Sequence, residues 1–315
     1  MVGRGVVISL LSSVTFAALS FVAAQLSALS GAQVWALRIM LTVPGILILL
    51  AASGRWLWFS SEFRRVVDQP RKLLAYAFTV PMLASQMWLF GWAPQSGNTL
   101  ALSMGYFLLP IVMVIAGRVI FKESLSPLTI VATCIASSAI VFEMVRAGGL
   151  GWVTAWVALG YPAYFVLRRI FETDGVGALT WEMALAMPLA LAVAVRSAEA
   201  DPLLSPRLGI LLLMLGVLSV IGVVTYVMAA KLLPYAVFGL LSYVEPILVT
   251  CVAALIGERI MGAEWVTYIG IWLAVIVLAV DGVRSMAQRR SFALSAARPW
   301  RRWRQALGRE GSRRR

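Results

Sequence analysis

A carboxylate stands inside one of the most apolar stretches of the chain. Glu245 lies ten residues into an apolar run over 235–256, directly before Pro246. On a straight helix crossing a bilayer, that depth is ~15 Å, half of a ~30 Å hydrocarbon core. A charged side chain there costs ~2.5–3.5 kcal/mol on insertion scales. The functional reading is a proton-binding or cation-binding carboxylate. The structural alternative is a carboxylate protonated or hydrogen-bonded to a neighbouring helix. Pro246 removes a backbone donor and frees a carbonyl, which is tolerable where the helix faces protein or a wet cavity.

Arg38 and Glu182 are two further charges inside apolar runs, each six residues before a proline (Pro44 and Pro188). Both lie ~7 Å inside the ends of their runs. Arg38 could bind a substrate carboxylate or pair with an acid such as Glu143. It could equally snorkel to the interface. Glu182 is expected to pair with Arg168 or Arg169 as a structural or gating charge. Gln25, Gln86, Trp88, Trp92, Tyr106, Tyr161, Tyr164 and Tyr243 are candidates to line a cavity. Aromatic walls with few polar groups suit organic, partly apolar substrates. The alternative for the tryptophans is anchoring at the membrane interface. Glu123 and Glu258 end their helices, where the dipole disfavours an anion. They read as structural hinge charges that accept bonds from the next helix, at Ser124 and Gly262. Asp281 and Arg284, one turn apart, are expected to pair.

The elements that must position these residues are membrane helices. Of the 315 residues, 61% are apolar and 13% charged. Apolar runs of about twenty residues predict an all-α polytopic membrane protein with no sizeable soluble domain. Ten spans are expected: 5–27, 33–53, 72–93, 98–120, 125–145, 151–171, 177–195, 208–230, 235–256 and 262–283. Internal prolines predict bent helices, with Pro44, Pro110, Pro162, Pro188 and Pro246 as hinges and Gly160-Tyr161-Pro162 as the strongest kink signal. Histidine is absent, which excludes imidazole metal ligation and histidine proton relays. Cys134 and Cys251 both fall in apolar runs and are expected to be small core residues, not a structural disulfide. No cofactor or metal is implied.

With the N-terminus inside, 22 of the 27 basic residues fall on the cytoplasmic side, so both termini are expected to be cytoplasmic. The net charge of +13 does not point to nucleic acid, because eleven basic residues sit in the last 32 positions. Arginines and two tryptophans interleave in that tail, which suits an anionic lipid surface. A disordered topogenic tail is the alternative.

The chain also repeats itself. A shift of 144 places Phe21 on Phe165, Gly31 on Gly175, Pro44 on Pro188 and Arg38 on Glu182. A shift of 135–136 places Pro110 on Pro246 and Glu123 on Glu258. Spans 1–5 then match spans 6–10. Five is odd, so the halves must be oppositely oriented, as in secondary transporters built from inverted repeats. The expected organisation is residues 1–149, residues 150–287 and a basic tail over 288–315.

Several stretches resemble a known family. Trp35-Ala-Leu-Arg38, Trp88-Leu-Phe-Gly-Trp92-Ala93, Ser103-Met-Gly-Tyr-Phe-Leu-Leu-Pro110, Leu159-Gly-Tyr-Pro-Ala-Tyr-Phe-Val-Leu-Arg168 and Gly222-Val-Val-Thr225 are similar to the RarD-type EamA transporters of the drug/metabolite transporter superfamily. The resemblance covers residues 3–285 and departs from the subgroup at Gln86-Met87. It implies ten helices in two inverted five-helix repeats, a central cavity reached by alternating access, and a bacterial inner-membrane permease without an ATP site. The expected function is secondary transport of small organic metabolites or drugs, with a proton as a candidate coupling ion. Homodimerisation is left open. An intramembrane enzyme would need clustered nucleophiles, bases or metal ligands, which the scattered acids do not supply. An uncoupled channel remains the other alternative, and a receptor would need a signalling domain the sequence lacks.

Overall fold

The computed structural model describes residues 2–26, 29–96, 98–146, 151–196, 205–255, 262–263, 265–277 and 280–281. Among these residues the regular structure is entirely helical. The helices are α1 (Val2–Gln25), α2 (Gly31–Ala52), α3 (Leu57–Asp68), α4 (Arg71–Gln95), α5 (Thr99–Val119), α6 (Pro127–Arg146), α7 (Trp152–Ile170), α8 (Val176–Arg196), α9 (Pro206–Leu232), α10 (Tyr235–Leu241), α11 (Val244–Leu255) and α12 (Trp265–Val277).

Six of them are long and apolar enough to cross a membrane: α1, α2, α4, α6, α8 and α9. A helix satisfies its own backbone polar groups, which hydrocarbon cannot do. Their outer faces carry a belt of exposed apolar side chains, including Val7, Ile48, Val145 and Leu213. Such a belt would drive aggregation in water and is at home in lipid. The chain is a multi-pass membrane protein.

The strongest helix contacts are α1 on α9, α5 on α7, α2 on α8, α5 on α10, α1 on α11 and α2 on α9. Small residues let these helices approach closely. A Cβ at Gly105 of α5 would lie 2.5 Å from the Val157 Cβ of α7. Helices α2, α5, α7 and α8 run through Pro44, Pro110, Pro162 and Pro188 without breaking.

Two elements differ from the sequence expectation. The run over 235–256 is not one helix, because it breaks at Ser242–Tyr243 into α10 and α11. Pro246 has no N–H for the Ser242 carbonyl four residues back, and the Glu245 amide takes that carbonyl instead, at 3.3 Å. Glu245 therefore stands in the first turn of α11. A carboxylate is favoured there by the helix dipole.

The second difference is α3, which no expected span covers. Leu57, Phe63 and Val67 are exposed on it, while Glu62 is buried and bonded by the Tyr76 hydroxyl at 3.1 Å. Its mixture of exposed aromatics, aliphatics and arginines is that of a helix lying in a membrane interface. It is pinned to α8, where Phe59 stacks on Trp181 with ring centroids 4.7 Å apart, and the Trp181 indole donates to the Phe59 carbonyl at 3.0 Å. The cysteines are a further correction. Cys134 and Cys251 are free and exposed, not core residues. In a membrane protein the lipid-facing side is as apolar as the core, so an apolar run does not say which side a residue takes.

Candidate functional site

One cavity gathers side chains from α1, α2, α4, α5, α7, α8, α9 and the α10–α11 break. Its polar groups are Arg38, Tyr106, Tyr161, Tyr164, Tyr226, Ser242 and Glu245; phenylalanine, leucine, valine and methionine side chains and Pro246 form the rest. No lining residue comes from α3, α6 or α12. Six sequence candidates thus meet in one place: Arg38, Tyr106, Tyr161, Tyr164, Glu245 and Pro246.

Arg38 does not snorkel outward. Its Nε donates to the Ser219 hydroxyl of α9 at 2.9 Å, and its guanidinium carbon lies 5.9 Å from the Phe16 ring centre. Ser219 is fully buried, so this bond fixes the arginine's direction. The expected alternative partner Glu143 is engaged elsewhere. It pairs with Arg146 and accepts from Thr267 at 2.8 Å. Across the cavity, the Glu245 carboxylate has no hydrogen bond among the described residues, yet feels the charge of Arg38. The Tyr106 and Tyr161 rings lie 6.1 Å apart beside them.

Tyr164 has a second duty. Its hydroxyl donates to Glu182 Oε2 at 2.8 Å and accepts from Arg168, whose Nη1 also pairs with Glu182 at 2.5 Å. Both charged side chains are fully buried. Glu182 and Arg168 therefore form a buried ion pair, and Arg169 pairs with Glu123 at 3.0 Å.

The other candidates lie away from the cavity. Gln25 is exposed at the end of α1. Gln86 is buried and its amide donates to the Trp156 carbonyl at 2.8 Å, clamping α4 to α7. Trp88 stacks on Trp92, with ring centroids 5.0 Å apart, and Trp92 packs against Trp152. Tyr243 is fully buried and its hydroxyl donates to the Phe107 carbonyl at 3.0 Å. A helix apolar on every side gives no sequence signal for which face looks inward.

Glu123 does not bond at Ser124. It crosses to the second half and caps α10, accepting from the Tyr235 amide at 2.7 Å and the Ala236 amide at 2.9 Å. Glu258 and Arg284 lie outside the described residues. Asp281 accepts from Ser126 at 2.5 Å and Thr129 at 3.1 Å, at the start of α6.

Sequence reasoning missed Tyr226, Phe165 and Ser242. Tyr226 had a signal: a phenol deep in an otherwise aliphatic run. Phe165 packs against Tyr226 and Phe238 at 5.4 and 5.2 Å between ring centroids. It and Val227 also line a smaller void containing Arg168, Arg169, Asp174 and Tyr235, and so partition the two spaces.

Comparison with known proteins fits this architecture. No protein-family model matches the chain. Several relatives found among curated proteins are transporters by name. An uncharacterized transporter of Haemophilus influenzae is 34% identical over 287 residues, covering 91% of this chain and 96% of its own. With the helical fold and its cavity, these relatives define a multi-pass membrane transporter. The "Chloramphenicol-sensitive protein RarD" of Pseudomonas aeruginosa is 37% identical over 290 residues, covering 91% of this chain and 97% of its own. "Protein RarD" of Streptomyces exfoliatus is 26% identical over 276 residues, covering 86% of each. The chain belongs to the RarD family of drug/metabolite transporters. A solved crystal structure of a protein shares the fold at a TM-score of 0.65 and 18% identity, over 90% of this chain and 98% of the other.

Proposed function

We propose that the chain is a secondary transporter of small organic metabolites or drugs in a bacterial inner membrane, working by alternating access around the Arg38–Glu245 cavity. The observation that carries this reading is that two opposite charges, unpaired with each other, face one aromatic cavity lined from both halves of the chain.

The packing supports ten spans in two inverted repeats, and the distribution of basic residues along the sequence supports cytoplasmic termini. In such a repeat α1 corresponds to α7, α2 to α8, α4 to α9, and α5 to the α10–α11 pair. Most of the major contacts then have a counterpart. The α1–α9 contact mirrors α7–α4, α5–α7 mirrors α11–α1, α2–α9 mirrors α8–α4, and α2–α4 mirrors α8–α9. The α2–α8 and α5–α10 contacts lie on the axis and mirror themselves. Helix α3 is an insertion in the first half. A cavity at the axis of an inverted repeat is the arrangement that rocking motions expose to either side.

On the cytoplasmic side, the Phe165 partition and two ion pairs, Arg169–Glu123 and Lys231–Asp174 at 3.0 Å each, are the proposed inner gate. Glu245 is the proposed proton-binding or cation-binding group for coupling. The basic tail is proposed to rest on anionic lipid.

Counterflow in proteoliposomes tests this reading against an uncoupled channel. Vesicles preloaded with an unlabelled compound should transiently accumulate the labelled form above its outside concentration. A panel of metabolites and drugs supplies the compounds. Flux that only equilibrates, without overshoot or saturation, would favour the channel.

A further inference from the structure

The cavity holds a separated pair of charges. Arg38 is anchored through Nε to Ser219, and among the described residues its two Nη groups make no hydrogen bond. That leaves free the planar fork that recognises carboxylates bidentately. Glu245 likewise has no hydrogen bond, and no ion pair joins it to Arg38 among the described residues. Tyr161 and Tyr106 sit in the field of both charges. Phenol rings offer faces to a cation and hydroxyls to either group. Apart from Ser242, whose hydroxyl donates to the Phe238 carbonyl at 3.0 Å, the remaining walls, among them Phe16 and Tyr226, are aromatic or aliphatic.

Ligand charge then decides which protein group is left unsatisfied. An anion satisfies Arg38 and leaves Glu245 desolvated without a partner. A cation does the reverse, and a neutral molecule leaves both. Charged groups within a membrane protein are costly unless paired. A zwitterion satisfies both ends at once and fills the apolar space with its body.

We infer that the substrate is bound as a small zwitterion with an apolar body, its anionic group on the Arg38 fork and its ammonium on Glu245. The chemical class is that of an α-amino acid with an aromatic or branched aliphatic side chain. This rests on the proposed transport cavity and narrows it.

The test uses the full-length protein in nanodiscs and four probes with one body: phenylalanine, phenylalaninamide, N-acetylphenylalanine and N-acetylphenylalaninamide. A leucine series is run in parallel. Binding is read by titration of thermal stabilisation. The inference expects the zwitterion of at least one series to bind at least about tenfold more tightly than its singly charged relatives, because truncating one partner of a buried charge pair costs that or more. Arg38→Gln should remove the preference for phenylalanine over phenylalaninamide. Glu245→Gln should remove the preference over N-acetylphenylalanine. Ser219→Ala, which leaves both charges in place, should weaken only the carboxylate-bearing probes.

Equal or tighter binding of the amide or the acetylated probe by the unmodified protein would overturn the inference. So would no binding of any probe by a protein that shows counterflow with other compounds, an outcome that leaves the transporter reading intact. Absence of counterflow with every compound would instead count against that reading itself.

Discussion

The Glu123 carboxylate accepts the Tyr235 amide at 2.7 Å across 112 residues of sequence. A carboxylate that ends the neighbourhood of α5 thereby caps α10, and Arg169 of α7 joins it from the side. One side chain ties together three helices that belong to both halves. The helix N-terminus supplies unsatisfied amides and a favourable dipole, so this is a strong position for an anion.

Glu123→Ala removes two capping bonds and one ion pair. Loss of such a cap costs about 1–2 kcal/mol. Unfolding in detergent should show that loss, with Glu123→Gln intermediate because its amide oxygen can serve only part of the cap. Unchanged stability in the alanine variant would show that α10 does not depend on the cap.

Arg168 and Glu182 make a different kind of pair, fully buried and shared with Tyr164. Removing one partner of such a pair costs about 3–5 kcal/mol, because the other charge stays buried alone. Arg168→Met and Glu182→Leu should each be strongly destabilised. The double variant should recover much of the loss. Additive losses in a double-mutant cycle would contradict the pairing.

Gly177 lets α8 meet the chain at the start of α3. A Cβ there would lie 1.8 Å from the Trp58 carbonyl oxygen, a backbone atom that cannot swing aside. Gly177→Ala should force α3 off α8 at about 1–3 kcal/mol, the usual cost of overpacking. The check is limited trypsin digestion at Arg55, Arg64, Arg65 and Arg71, which should accelerate severalfold. Cleavage at the unmodified rate would mean that α3 docks without this close contact.

The long helices were legible because hydrocarbon demands length and apolarity, and both are written in the sequence. Glu245 and Arg38 were legible for the same reason: charges in apolar runs are expensive and stand out. The break before Glu245 was harder to see. Pro246 signalled a bend, but prolines in α2, α5, α7 and α8 signalled the same and those helices continue. Helix α3 escaped notice because its alternation of arginine with tryptophan and phenylalanine reads as a basic loop under span counting. Tyr243 and Tyr106 are both tyrosines near a proline, yet one bonds Phe107 in the interior and the other faces the cavity. The direction of a side chain around a helix in lipid is set by neighbours remote in sequence. Glu123 shows this most clearly, since its partners lie in the opposite half of the chain.

The central claim is that the Glu245 cavity couples transport to an ion. Its most direct test is flux in proteoliposomes with and without an imposed pH gradient, for the unmodified protein and for Glu245→Gln, using a compound that shows counterflow. The account predicts gradient-driven flux in the unmodified protein and loss of the gradient response in the variant, with the variant's fold and thermal stability retained. Gradient-driven flux at the unmodified rate in Glu245→Gln would contradict it and make Glu245 a structural residue of the α10–α11 break.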